Sequence, residues 1–79
     1  MKYIYILHSV KNPNQYYSGM TDKIENVLIK HNGHQMAETA KYAPWNLSTY
    51  IAFADEGRAF AYENYLKTEQ GMAYIKKRL

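Results

Sequence analysis

The chain has no cysteine among its 79 residues, which excludes a disulfide framework and a thiolate metal cluster and suits a reducing compartment. No apolar run approaches the roughly 18–20 residues of a membrane-spanning helix. The N-terminal apolar run is too short for a secretory leader and lacks a small-residue cleavage site. There is no glycine-rich phosphate loop, no GxSxG elbow and no HExxH pair, His31 and His34 being spaced wrongly for zinc on a helix. Linkers, internal repeats and low-complexity tracts are also missing, so the expectation is a single domain over residues 1–79. A cytoplasmic protein without membrane association is expected.

What the chain has is tyrosine, nine of them, and a slight excess of positive charge. The formal net charge is +3, a mild bias toward anionic partners. Lys76-Lys77-Arg78 concentrates part of it near the end of the chain, where a solvated helix end explains it equally well.

The segment Lys2–Leu7, KYIYIL, alternates Tyr3, Tyr5 and Leu7 on one face with Ile4 and Ile6 on the other. Apolar residues on both faces predict a strand covered on both sides. KNPN at Lys11–Asn14 is turn chemistry, and Gln15–Ser18 resumes as a second strand that Gly19 ends, giving a hairpin. Asp22 with Glu25 has the form of a capping box, Thr21 being an alternative cap. Ile24, Val27, Leu28 and His31 then fall on one helical face up to Asn32-Gly33. A short helix over Gln35–Lys41, a third strand over Asn46–Phe53, a helix over Glu56–Lys67 capped by Asp55, and a last helix capped by Thr68 complete the order. The apolar side of that last helix is Met72, Ile75 and Leu79. The fold class expected is α/β (α+β): a small sandwich with a three-stranded, mostly antiparallel sheet flanked by helices.

Two features do not suit a plain core. Glu63 falls within the stripe Ala59, Phe60, Leu66, and a carboxylate there costs several kcal/mol unless it is paired or coordinated. It either lies at the stripe's edge, pairing with Arg58 or Lys67, or binds a cation such as Mg²⁺. The tyrosines are the second feature. Either Tyr16 or Tyr17 can face Tyr5 across the hairpin, as aromatic packing or as a shared site. A phenol with a pKa near 10 is a poor base unless its surroundings favour the phenolate or it orients water.

In order along the chain, Tyr3-Ile4-Tyr5, Tyr17-Ser18-Gly19, Lys30-His31-Asn32, Pro44-Trp45-Asn46-Leu47 and Ala61–Lys67 resemble the motifs of the GIY-YIG nuclease domain. Tyrosine stands at the first glycine position and serine at the middle of the second motif. The resemblance spans nearly the whole chain and is similar in compactness to small stand-alone bacterial members, related to the nuclease half of the excision-repair incision protein and to homing endonucleases. It implies a DNA endonuclease that hydrolyses a phosphodiester with one divalent metal, Mg²⁺ or Mn²⁺. It implies Tyr5, Tyr17 and His31 as catalytic residues and Glu63 as the metal ligand. Thr21, Gly19 and Lys30 would contact substrate. Val27 stands where the family has an arginine aimed at the phosphate, with Asn26 beside it; Lys23 and Lys30 are expected on other faces of the helix. The resemblance therefore implies either a weakened enzyme or a catalytically inactive module that binds nucleic acid or a protein partner. Specificity would come from DNA shape or from a protein partner.

Overall fold

The computed structural model describes residues 1–33 and 36–78. Three strands, β1 (Lys2–Ser9), β2 (Tyr16–Thr21) and β3 (Trp45–Phe53), form one sheet in the order β2-β1-β3. Both pairings are antiparallel. The most apolar segment of the sequence is therefore the central strand, and its alternation decides the layers. Ile4 and Ile6 pack on one face with Ala59, Leu66 and Ile75. Tyr5 and Leu7 pack on the other with Val27 and Trp45. Each fully buried aliphatic side chain contributes about 1.5–3 kcal/mol, so both faces of β1 need a cover.

The first face is covered by α3 (Glu56–Leu66) and α4 (Glu69–Arg78). As the sequence predicts, Asp55 caps α3 by accepting the Gly57 N–H at 2.8 Å, and Thr68 accepts the Gly71 N–H at 3.1 Å at the start of α4. The buried stripe of α3 differs from the expected one. It is Ala59 and Leu66, with Tyr62 half-buried against them, and Phe60 is 56 % exposed. Residues 59, 62 and 66 form a narrow i, i+3, i+7 line, which leaves Phe60 outside and puts Glu63 on its edge.

The second face is covered by a short 3₁₀ turn (Ile24–Asn26), α1 (Val27–Asn32) and α2 (Ala37–Ala40). The expected capping box is not formed. Thr21 Oγ1 instead accepts the Lys23 N–H at 3.1 Å, and the tighter 3₁₀ turn precedes the α-helix. The predicted apolar face survives: Val27 and His31 are buried, and Ile24 and Leu28 pack half-buried beside them. Gly19 does not end β2. It is an interior residue paired with Tyr5, and the strand continues to Thr21. Gln35, the expected start of the short helix, and Leu79, expected on the apolar side of α4, lie outside the described residues.

Candidate functional site

The hairpin register builds the site. Gly19 lies directly opposite Tyr5, and Tyr17 opposite Leu7. Tyr17 is thus Tyr5's diagonal neighbour on the same face rather than its direct partner, with ring centroids 6.3 Å apart. Tyr5 leans over Gly19, the position across the ladder that has no side chain. A Cβ there would overlap the Tyr5 hydroxyl and lie 3.0 Å from its Cε2, closer than any ordinary carbon contact. The tight approach, and not a turn, is what requires glycine.

His31 arrives from the last turn of α1 and packs on both rings, 5.7 Å from the Tyr5 centroid and 5.0 Å from that of Tyr17. It is fully buried. A buried imidazole needs partners for both nitrogens, and both have them. Nε2 lies 2.9 Å from Tyr5 Oη, and Nδ1 lies 2.9 Å from Thr39 Oγ1. Thr39 is itself buried, and its hydroxyl donates to the Met36 carbonyl at 3.3 Å. Tyr5, His31 and Thr39 therefore form a continuous polar chain through an otherwise apolar cluster.

The far end of that chain is anchored by Trp45, which opens β3. Its indole N–H donates to the Thr39 carbonyl at 2.9 Å. Asn32, one residue beyond His31, grips the Trp45 backbone on both sides, accepting its N–H at 2.6 Å and donating to its carbonyl at 3.1 Å. A tryptophan and an asparagine thus fix the distance between the end of α1 and the sheet.

The Tyr5 end opens into a cleft of about 220 Å³ lined by Tyr5, Thr21, Lys23, Val27, Lys30 and His31 among others. Val27 forms its apolar wall and offers neither charge nor hydrogen bond. Both lysines flank that wall, contrary to the expectation that they face elsewhere. Lys30 is three residues on from Val27, a surface neighbour on any helix. Lys23 belongs to the lead-in before the 3₁₀ turn, where α-helical spacing does not apply. Asp22 also reaches the cleft, so its rim carries two cations against one carboxylate.

Tyr17, Gly19 and Glu63 are not among the described residues that line the cleft. Tyr17 stands behind it in ring contact, and Gly19 lies under Tyr5. Glu63 belongs to α3, which packs on the opposite face of β1. Its side chain is 14 % exposed and pairs with Lys67 Nζ at 3.6 Å, while Arg58 pairs with Asp55. No group of three histidines or acidic residues gathers among the described residues. A single hard carboxylate of this kind fits an ion such as Mg²⁺ that keeps most of its water and completes its shell with phosphate oxygens. It does not fit an all-protein cage.

Two contributors were not singled out in the sequence. Thr39 sits in QMAETAK, which reads only as helix composition; a contact across a helix-to-helix turn has no periodicity to betray it. Asn32 reads as part of a helix stop, a role that conceals its grip on Trp45.

A comparison with protein families matches residues 1–77 to the GIY-YIG catalytic domain. The comparisons with curated proteins and with solved structures return no match.

Proposed function

We propose, proceeding from the fact that the chain belongs to the GIY-YIG catalytic domain family, that it is a divalent-metal-dependent DNA endonuclease whose phosphate cation is lysine rather than arginine. The family implies nuclease-type function; the assignment of residues is our reading. The observation that carries it is the Tyr5 hydroxyl, hydrogen-bonded to His31 at 2.9 Å on a cleft rimmed by Lys23 and Lys30. Phosphodiester hydrolysis needs a route for the proton of the attacking water and positive charge at the phosphate. Tyr5 contacts the water and passes its proton toward His31, whose imidazole lies within hydrogen-bond distance of the phenol. Tyr17 packs against both and holds their rings in place. Thr21, near the mouth, orients substrate. Gly19 lets Tyr5 lie close to the sheet.

Lys23 and Lys30 supply charge where Val27 supplies none. A lysine is a flexible point charge and lacks the planar fork with which arginine grips a phosphate bidentately, so slower cleavage is expected than with a positioned guanidinium. By the family resemblance Glu63 would hold Mg²⁺ or Mn²⁺, which would supply charge neutralisation to a phosphate; with α3 on the face of β1 opposite the Tyr5 cleft, that contact would lie outside the cleft lined by Tyr5 and the lysines. Specificity would come from DNA shape or from a protein partner.

The test is a Mn²⁺-dependent cleavage assay on plasmid, single-stranded, flap and branched DNA, run on the natural protein, Tyr5→Phe, Glu63→Gln and Val27→Arg. Cutting by the natural protein that is lost in Tyr5→Phe and Glu63→Gln supports the reading. Val27→Arg should cut faster by about 10²-fold, the scale of one positioned donor to developing charge. The apolar wall at Val27 favours a second reading, a non-cleaving module that binds nucleic acid or a protein. That reading prevails if only Val27→Arg cuts while the natural protein binds DNA without metal and with steep salt dependence.

A further inference from the structure

The buried chain can be followed proton by proton toward His31. Thr39 has one hydroxyl hydrogen, and the Met36 carbonyl three residues back lies 3.3 Å from Oγ1, in the bond that helical threonines commonly make. A carbonyl can only accept. With the hydrogen placed on that carbonyl, Oγ1 accepts at its shorter second contact, 2.9 Å from His31 Nδ1. Nδ1 therefore carries the ring hydrogen. In a neutral imidazole the other nitrogen is then an acceptor, and Nε2 lies 2.9 Å from Tyr5 Oη.

We propose that Thr39 is a positioning residue that fixes His31 as its Nδ1–H tautomer, so that His31 Nε2 is the terminal proton acceptor for the Tyr5 hydroxyl. This rests on the nuclease reading for its consequence in catalysis, although the tautomer itself does not. In the hydrolytic step, the water oxygen forms a bond to phosphorus as its proton passes to Tyr5 Oη. The Tyr5 hydroxyl proton moves to His31 Nε2, giving an imidazolium still held by Thr39 through Nδ1–H. The bond from phosphorus to the leaving oxygen breaks with its electron pair on that oxygen, which takes a proton from solvent. His31 returns its proton through Tyr5 once the product has left. The opposite tautomer would aim an N–H at Tyr5 and close this route.

Placement supports the assignment. Thr39 is 1 % exposed, so solvent does not compete for its hydroxyl. Its backbone is fixed from both sides, by Trp45 Nε1 donating to its carbonyl at 2.9 Å and by its own N–H donating to Met36 at 3.2 Å. The orientation of Oγ1 toward Nδ1 is thus set by the tryptophan at the start of β3.

The test combines the ¹⁵N–¹H spectrum of His31 with cleavage kinetics in the natural protein, Thr39→Ser and Thr39→Val. The natural protein and Thr39→Ser should show the Nδ1–H pattern at neutral pH. Thr39→Val, nearly the same shape without the hydroxyl, should lose it, with kcat lower by about 10²-fold, the scale of general-base catalysis, and KM for DNA unchanged. Thr39→Ser should retain most of kcat. An Nε2–H pattern in the natural protein overturns the proposal, and needs no variant to fold. So does an unchanged Nδ1–H pattern in Thr39→Val. If the spectra follow the expectation and no variant cuts any DNA, the Thr39 assignment stands and the nuclease reading fails.

Discussion

At Gly19 one missing methyl group decides where a tyrosine can lie. Gly19→Ala ordinarily costs a strand nothing, since alanine lowers the entropy of the unfolded chain. Here the new Cβ overlaps the Tyr5 hydroxyl, and the ring cannot retreat without breaking its bond to His31. Overpacking of this kind costs about 1–3 kcal/mol, more than the entropic gain of about 0.4–1 kcal/mol, so Gly19→Ala is expected to destabilise. Urea melts check the sign, and the His31 ring resonances should shift with Tyr5. The lysines beside Val27 make a separate claim. Each phosphate contact they neutralise adds roughly 0.9 to the slope of log K against log salt on duplex DNA. The double variant Lys23→Met/Lys30→Met should therefore flatten that slope by about 1–2 without changing the thermal midpoint, both side chains being exposed. Salt titration of DNA binding by fluorescence anisotropy measures it. The choice of Tyr17 over Tyr16 came from the resemblance to the GIY-YIG motifs, whereas Tyr5, His31 and Val27 were legible because strand alternation and helical spacing place them on apolar faces. Lys23 and Thr39 were not, because each reaches the site across an irregular turn, where angular spacing carries no information.

The start of β1, which runs two residues beyond Leu7 to Ser9, and the starts of α3 and α4 were legible for local reasons: alternation needs only neighbours, and Asp55 and Thr68 cap helices from within one turn. Strand β2 was cut short because glycine reads as a breaker until its partner, Tyr5, is known. The start of α1 was misread because Thr21 serves the Lys23 amide and no capping bond forms between Asp22 and Glu25. The joint between α3 and α4 shows the same dependence on distant partners. Gly71 lies in the first turn of α4, where alanine would normally add about 1 kcal/mol of helix stability. A Cβ at Gly71 instead meets the Tyr65 carbonyl and comes within 2.6 Å of Leu66 Cα. Those are backbone atoms and cannot rotate away. Gly71→Ala is thus expected to lower stability by about 1–3 kcal/mol, a reversal of sign that chemical denaturation monitored by circular dichroism will show. Loss of the α3–α4 joint exposes Leu66 and Ile75 while leaving the Tyr5–His31 contact on the far side of β1, so the His31 resonances should keep their positions in the folded fraction.

Across the whole molecule, the central strand separates two clusters with different tasks. Ile4 and Ile6 face an aliphatic core under α3 and α4, while Tyr5 and Leu7 face the polar chain of the cleft. Tyrosine serves both sides. On the aliphatic side Tyr62 packs on Phe53 with ring centroids 5.6 Å apart, and Tyr65 and Tyr74 pair across α3 and α4 at 6.5 Å. The Tyr62 phenol is pushed above its usual value of 10.0 by burial first, then by the charge and hydrogen bond of Tyr74 and the charge of Tyr65. The folded protein therefore holds this proton more tightly than the unfolded chain does. The stability it contributes is fully present below the unfolded pKa of about 10. It is lost as pH rises from there through the folded value, because the unfolded chain ionises first. The difference between the natural protein and Tyr62→Phe isolates the effect. At pH 8 the variant should be less stable by about 0.5–1.5 kcal/mol, the net worth of the hydrogen bond it lacks. Above pH 10 that gap should close as the natural protein loses what Tyr62 contributes and phenylalanine has nothing to ionise. Urea midpoints measured for both proteins at pH 8, 9.5, 10.5 and 11 make the comparison. Convergence of the two curves places the half-buried phenol in the packing of α3 against α4 and β3; curves that stay parallel to pH 11 would show that Tyr62 does not couple ionisation to folding.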